Sequence, residues 1–371
     1  MPAPLIETVT DLALAVCNHP GGARALVPVV ETFLARTPAL SFDMWLTRHG
    51  VGIADVRLPR LRARLRDESI ADEEYDRLDL RDYQFVLTAT SISGNLESAV
   101  VRRSRDQGVP VLSILDQASE YDRRFQGVGG ELAAVPDVVF VPNETARHDL
   151  LGRGVSSQRV VVSGNPALDH LPQARMRFSD HTRQQVLGEL AVGDSPGFIL
   201  FVSEPISTDH ADGTRYSEWS ALQLTLATVR AMSAARRPAV VVKTHPREAP
   251  TKFDRVITDC GDVQVRTAPL FIDRHDLVMA SNLVIGIEST LLTEAAVLGV
   301  PCVSLPPGRH TVEGIVAIPD AAAFCDVLQQ PWRTPSRPPG RRPIASDIIV
   351  DAVAAYTGGR SINALPASDG R

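Results

Sequence analysis

Two carboxylates, a histidine before a proline and a serine-threonine pair are the residues of this sequence whose types and positions can do chemistry. Asp116 directly follows the apolar run VLSIL, and Glu97 stands just after the polar turn SISGN. Either can take a proton from a bound molecule, with Asp116 the first choice as general base and Glu97 the second. His245 follows an apolar run that ends in Lys243, and it precedes Pro246 and Arg247. There the imidazole can donate to a leaving phosphate while Lys243 or Arg247 neutralises it. Ser289 and Thr290 open a helical pattern whose amino terminus carries about half a positive charge and four unpaired N–H donors. Glu294 lies one turn further on, where a carboxylate can accept from ribose hydroxyls. The set suits a nucleotide and a proton transfer. Each member also has a plain alternative: Ser289 as a helix cap, Glu97 and Glu294 as dipole complements, His245 as a satisfied core histidine.

These residues need strand ends and helix starts to hold them, and the apolar pattern supplies both. Residues 281–305 read as a strand, a tight turn, a helix stopped by Gly299-Val300-Pro301 and a second strand, a βαβ crossover. Near the start, residues 12–17 form a strand-like run followed by Asn18-His19-Pro20-Gly21-Gly22 and a helical pattern to residue 36. Gly21 and Gly22 let a backbone approach a ligand, with His19 beside them, although any tight turn in such a sheet uses glycine too. Residues 83–90 form another strand and deliver Thr90 and Ser91 to its end, before a helix over 96–107 and a strand over 111–115. Strands at 137–141 and 159–162 flank a helix capped by Asn143. Residues 57–82 alternate in charge and read as a solvated, helical surface.

Strands alternating with helices predict an α/β protein of two Rossmann-like, doubly wound domains. The break at Ser163-Gly164-Asn165-Pro166 places the boundary. We expect a first domain over 1–170, a linker over 171–195, a second domain over 196–340, and a crossing helix with a tail over 341–371. The chain has 371 residues, 44% of them hydrophobic and 22% charged, enough for two ordinary cores. A net charge of −6 repels a phosphate backbone, which argues against nucleic acid. The four cysteines lack CxxC or CxxH spacing, so neither a structural zinc nor a disulfide framework is expected. No DxD triplet offers a metal site, the amino terminus has no basic leader, and no apolar run approaches about 18 residues. A cytoplasmic protein follows. The proline- and arginine-rich stretch at 331–344 leaves open a contact with the inner face of a membrane.

Residues 136–171, PDVVFVPNETARHDLLGRGVSSQRVVVSGNPALDHL, resemble the corresponding segment of the hydrolysing UDP-N-acetylglucosamine 2-epimerases and their GT-B glycosyltransferase relatives. The turn Thr244-His245-Pro246-Arg247-Glu248 and the stretch GIESTLLTEAAVLGVP resemble the His-Pro turn and the phosphate and ribose helix of the same superfamily, in the same order. The resemblance implies a GT-B fold, its two domains facing across a cleft. It implies a nucleotide sugar as substrate with no added cofactor, held by Lys243, His245, Arg247, Ser289, Thr290 and Glu294. His19, Gly21, Gly22, Thr90 and Ser91 would then be acceptor or loop contacts, beside catalytic Asp116, Glu97 and His245.

This chain also departs from the 2-epimerase pattern. It has Thr88-Ala89-Thr90 where those enzymes carry a Gly-Asp pair, Asp116 where they carry Glu, Ser289-Thr290 for their glycine pair, and no His-Arg-x-Glu turn over 201–207. A His-Pro turn followed by a Ser/Thr pair is similar instead to CMP-sugar and CDP-alditol transferases, and SILDQASEYDRRF resembles a segment of surface-polysaccharide proteins. With one acid fewer for deprotonating a sugar carbon, the expectation is a metal-independent glycosyltransferase of cell-surface glycan synthesis. It would use a UDP-, CMP- or CDP-sugar donor and a glycan, lipid-linked or protein acceptor, with a homodimer left open. The alternatives are a UDP-sugar epimerase or hydrolase, and an inactive nucleotide-sugar-binding subunit.

Overall fold

A computed structural model describes residues 11–47, 60–127, 131–193, 195–209, 217–245, 247–305, 314–329 and 344–359. The leader reading of residues 1–10, the basic stretch 331–343 and the tail 360–371 lie outside them. The described residues divide into two compact units, Met1–Asp169 with Arg342–Arg371, and His170–Arg341.

The first unit holds seven parallel strands: β1 (Leu12–Cys17), β2 (Ser41–Leu46), β3 (Leu61–Leu65), β4 (Val86–Thr88), β5 (Val111–Ile114), β6 (Val138–Val141) and β7 (Val160–Val162). Their order is β3-β2-β1-β4-β5-β6-β7. Continuous apolar runs such as ALAVC in β1 and VVFV in β6 are fully buried, as strands covered on both faces by helices must be. Helix Pro20–Arg36 lays Leu26, Val29, Val30 and Phe33 on one face of the sheet, where Phe33, Phe42 and Phe85 cluster with ring centroids 5.4–6.0 Å apart. Helix Ala345–Thr357 packs beside it, and its first amides, Ala345 and Ser346, donate to Asp169 at 2.9 and 2.8 Å.

The second unit holds six parallel strands: β8 (Phe198–Val202), β9 (Ala239–Lys243), β10 (Val265–Thr267), β11 (Leu283–Gly286), β12 (Cys302–Ser304) and β13 (Ile315–Ala317). Their order is β10-β9-β8-β11-β12-β13. Helix Thr290–Leu298 follows β11, and Gly299 closes it in the left-handed conformation, φ 76°, which only glycine adopts without cost. Among the described residues, no helix is long and apolar enough to cross a membrane.

Two stretches differ from the sequence expectation. Residues 171–195, expected as a linker, contain helices Leu171–Arg177 and Asp180–Leu190, which pack on helices Arg274–Ala280 and Thr290–Leu298 of the second unit. Only Val186 and Leu190 of the second of these helices are buried, and so sparse a stripe hides the helical period. The charged stretch 57–82, expected to be helical throughout, contains edge strand β3, whose LRARL alternates as a strand should, and the short helix Asp72–Arg77.

Gly22 shows how tightly the first helix meets the sheet. A Cβ placed there would lie 2.5 Å from the Ala89 Cβ, a contact that requires backbone movement. Gly22→Ala is therefore expected to destabilise by about 1–3 kcal/mol despite alanine's better helix propensity. Gly188, in helix Asp180–Leu190 with open space around it, should instead gain up to about 1 kcal/mol on the same change. Thermal unfolding of the two variants checks the contrast, and equal shifts would rule out the packing explanation.

Candidate functional site

In the first sheet the strand order reverses between β1 and β4, and the carboxyl ends of that pair are where open α/β sheets bind ligands. Register aligns Val16 of β1 with Thr88 of β4, and Thr88 with Ser113 of β5, so the residues after all three strands emerge together. Glu97, from the first turn of helix Leu96–Asp106, reaches back into this edge. Its Oε1 accepts the Asn18 amide at 2.9 Å, and its Oε2 accepts the Ser91 hydroxyl. Burial, with the negative charge of Asp116 as a smaller contribution, outweighs these hydrogen bonds and pushes the Glu97 carboxyl up to about 7. A carboxyl held there is half protonated at neutral pH and can act as acid or base.

Asp116 pairs with the buried guanidinium of Arg124 at 2.7 Å, and Arg124 also donates to the Thr90 carbonyl and hydroxyl at 3.1 and 3.0 Å. A Cβ on Gly21 would stand 2.7 Å from Asp116 Oδ2, so the start of helix Pro20–Arg36 abuts this carboxylate. Held between a guanidinium and a helix amino terminus, Asp116 suits a fixed negative charge, and Glu97 becomes the better candidate for the moving proton. His19 Nε2 lies 2.7 Å from Ser93 Oγ. The buried amide of Asn18 donates to the Ser93 carbonyl at 2.8 Å, while its Oδ1 has no protein partner among the described residues. The glycine pair thus packs strands and helix together, and Thr90, Ser91, His19 and both carboxylates gather at one sheet edge.

In the second sheet the reversal falls between β8 and β11. The turn after β9 and the helix start after β11 emerge from the same carboxyl edge, two strand spacings or about 10 Å apart. Ser289 caps helix Thr290–Leu298 by accepting the Leu291 amide at 3.4 Å, and Thr290 is exposed beside it. Glu204, after β8, accepts the Glu288 amide at 2.8 Å, so that donor is already engaged. His245 Nδ1 accepts the Arg247 amide at 3.1 Å, and Arg247 itself is exposed. Glu294 is buried against Arg274 at 3.1 Å and His275 at 3.0 Å. Burial and the Arg274 charge lower the Lys243 ammonium below its usual range, with Glu294 opposing them, which places all three in one electrostatic cluster.

Sequence reasoning missed Arg124, Arg274 and His275. Asp273, whose carboxylate caps helix Arg274–Ala280 by accepting the His275 and Asp276 amides at 2.8 and 3.2 Å, was the signal for the last two. Among the described residues, no group of three His, Cys, Asp or Glu is arranged to hold a metal ion.

Two sheets of this topology, each with its ligand edge at a strand reversal, accompany a sequence match. The family model for UDP-N-acetylglucosamine 2-epimerase matches residues 132–329. This chain belongs to the UDP-N-acetylglucosamine 2-epimerase family. A search of curated proteins by sequence finds no match. Among solved structures, the UDP-GlcNAc 2-epimerase of Methanocaldococcus jannaschii is 13% identical with a TM-score of 0.65, covering 93% of this chain and 99% of that one. A putative UDP-N-acetylglucosamine 2-epimerase from Listeria monocytogenes is 15% identical with a TM-score of 0.66, covering 94% and 96%. The Neisseria meningitidis UDP-GlcNAc 2-epimerase bound to UDP-GlcNAc is 16% identical with a TM-score of 0.64, covering 92% and 99%. These likenesses show that this epimerase-family chain has the GT-B-like fold.

The expected glycosyltransferase is thereby corrected. The family match is to an epimerase, and the resemblance of the His-Pro turn and the Ser289-Thr290 pair to transferases does not outweigh it. The count of acids that favoured a transferase missed the inward turn of Glu97, which the sequence alone does not show.

Proposed function

We propose that this chain acts on a UDP-sugar, UDP-N-acetylglucosamine first among the candidates, as an epimerase or hydrolase of the 2-epimerase kind. The observation that carries the reading is Glu97, a buried carboxyl held at about 7 on the switch-point edge of the first sheet with Asp116 beside it. Inverting a sugar carbon requires a placed base for its proton, and breaking the anomeric C–O bond requires stabilisation of the departing charge. Glu97 supports the first requirement, in a chain that lacks an acid at the end of β4 itself. Lys243, His245, Arg247, Ser289 and Thr290 would hold the phosphates and Glu294 the ribose, on the carboxyl edge of the second sheet. The Neisseria relative, described as bound to UDP-GlcNAc, supports the choice of ligand. The nucleotide sugar is the substrate, and no added cofactor is invoked.

Incubation with UDP-N-acetylglucosamine alone, with and without EDTA, tests this. Anion-exchange separation should show UDP with the free 2-epimer, or the UDP-linked 2-epimer, at the same rate in both. Tight binding without any product would favour a non-catalytic nucleotide-sugar-binding subunit. An unaltered substrate with no binding would sink the assignment.

A further inference from the structure

We propose that Lys252 is a positioning residue for His245, acting through Glu248 to hold the histidine turn so that it presents its Nε2 proton to the nucleotide; this rests on the nucleotide-binding reading above. Lys252 Nζ sits 2.7 Å from Glu248 Oε1 and 2.6 Å from Glu218 Oε1. Its side chain is 15% exposed, while those of Glu248 and Glu218 are 2% and 1% exposed. Glu248 spends its remaining capacity on two strand ends. Its Oε2 accepts the His245 amide at 2.8 Å, and its Oε1 accepts the Ser203 hydroxyl, after β8, at 3.0 Å. Glu218 in turn accepts the Ser207 amide at 3.0 Å together with its hydroxyl. One ammonium therefore ties the turn after β9 to the segment 203–207 after β8.

The geometry also fixes which nitrogen of His245 donates. Nδ1 accepts the Arg247 amide, so a neutral ring carries its proton on Nε2. The lysine is fixed as well, with Nζ 5.4 Å from the Trp219 ring centroid and 5.3 Å from that of Phe253. Burial would lower its ammonium, but the two carboxylates outweigh burial and raise it, so the charge is kept. Burying two carboxylates around one ammonium is a poor way to gain stability, since apolar residues of the same volume do as well or better. What the arrangement secures is the conformation of a turn that has no helix or strand to define it.

The test is a double-mutant cycle read by UDP affinity in titration calorimetry, with thermal unfolding confirming that each variant is folded. Lys252→Met keeps the stem between the rings and should weaken UDP binding about tenfold. Because it leaves two carboxylates unbalanced, Lys252→Met with Glu218→Gln is made alongside, and the same loss is expected. On a His245→Ala background either change should alter affinity less than about twofold, because its effect runs through the imidazole. Wild-type affinity in a folded Lys252 variant, or an equal loss on both backgrounds, would overturn the proposal. If the unaltered chain fails to bind UDP, the nucleotide reading falls and this proposal with it.

Discussion

Glu97→Gln is expected to slow turnover of UDP-N-acetylglucosamine by about 100- to 10,000-fold, the range for loss of a general acid–base group, with UDP affinity unchanged. The amide is nearly isosteric, and its oxygen still accepts the Asn18 N–H, so the fold should survive. In the unaltered chain kcat/KM should rise with pH through about 7 as the carboxyl ionises, and the variant should lose that limb. Stability supplies an independent readout. A carboxyl raised from 4.5 to about 7 in the folded chain favours the protonated state there. Its contribution to stability is complete below pH 4.5 and is lost as pH rises to about 7, amounting to roughly 3 kcal/mol. Thermal unfolding from pH 5 to 8 should therefore decline more in the unaltered chain than in Glu97→Gln. Parallel pH profiles, or undiminished turnover, would remove Glu97 from the chemistry.

His245→Ala should cost a comparable amount by another route. A donor aimed at a departing phosphate contributes about 100- to 1,000-fold in rate, and the loss should appear in UDP affinity as well as in kcat. Asp116, Arg124 and Glu97 lie in the other unit, so the pH limb near 7 should persist in the residual activity. Calorimetry with UDP and a pH profile of the variant check both halves. Full UDP affinity in a folded His245→Ala protein would exclude the His-Pro turn from nucleotide binding.

Most of the parallel strands were legible because they are short apolar runs next to a glycine, proline or polar turn, as Leu283-Val284-Ile285-Gly286 and Leu12 to Cys17 illustrate, whereas β3 and β10 carry arginines and were not. The cap at Asn143 and the glycine stop at Gly299 were equally plain. Short or weakly amphipathic helices were not. Arg274–Ala280 has seven residues, and Asp180–Leu190 presents two buried side chains, too little for a 3.6-residue period to stand out.

The site was legible as a set of residue types, and its energetics were not. Glu97 reads in sequence as an acid in a first helical turn. Its character comes from burial, which outweighs the hydrogen bonds from Asn18 and Ser91, 79 and 6 positions away. Asp116 likewise reads as a free base at a strand end, and only its pairing with Arg124 shows it committed elsewhere. The reaction class turned on the family match, since Glu97 stood as a candidate base in both readings.

The central claim is that this chain breaks and remakes a bond at a carbon of a UDP-linked sugar. Inverting C2 exchanges its hydrogen with solvent, so the direct measurement is proton NMR of UDP-N-acetylglucosamine incubated with the protein in deuterated water. Deuterium at C2 of the product, dependent on Glu97, is the predicted result. Substrate that keeps its C2 proton through prolonged incubation with folded, UDP-binding protein would contradict the claim.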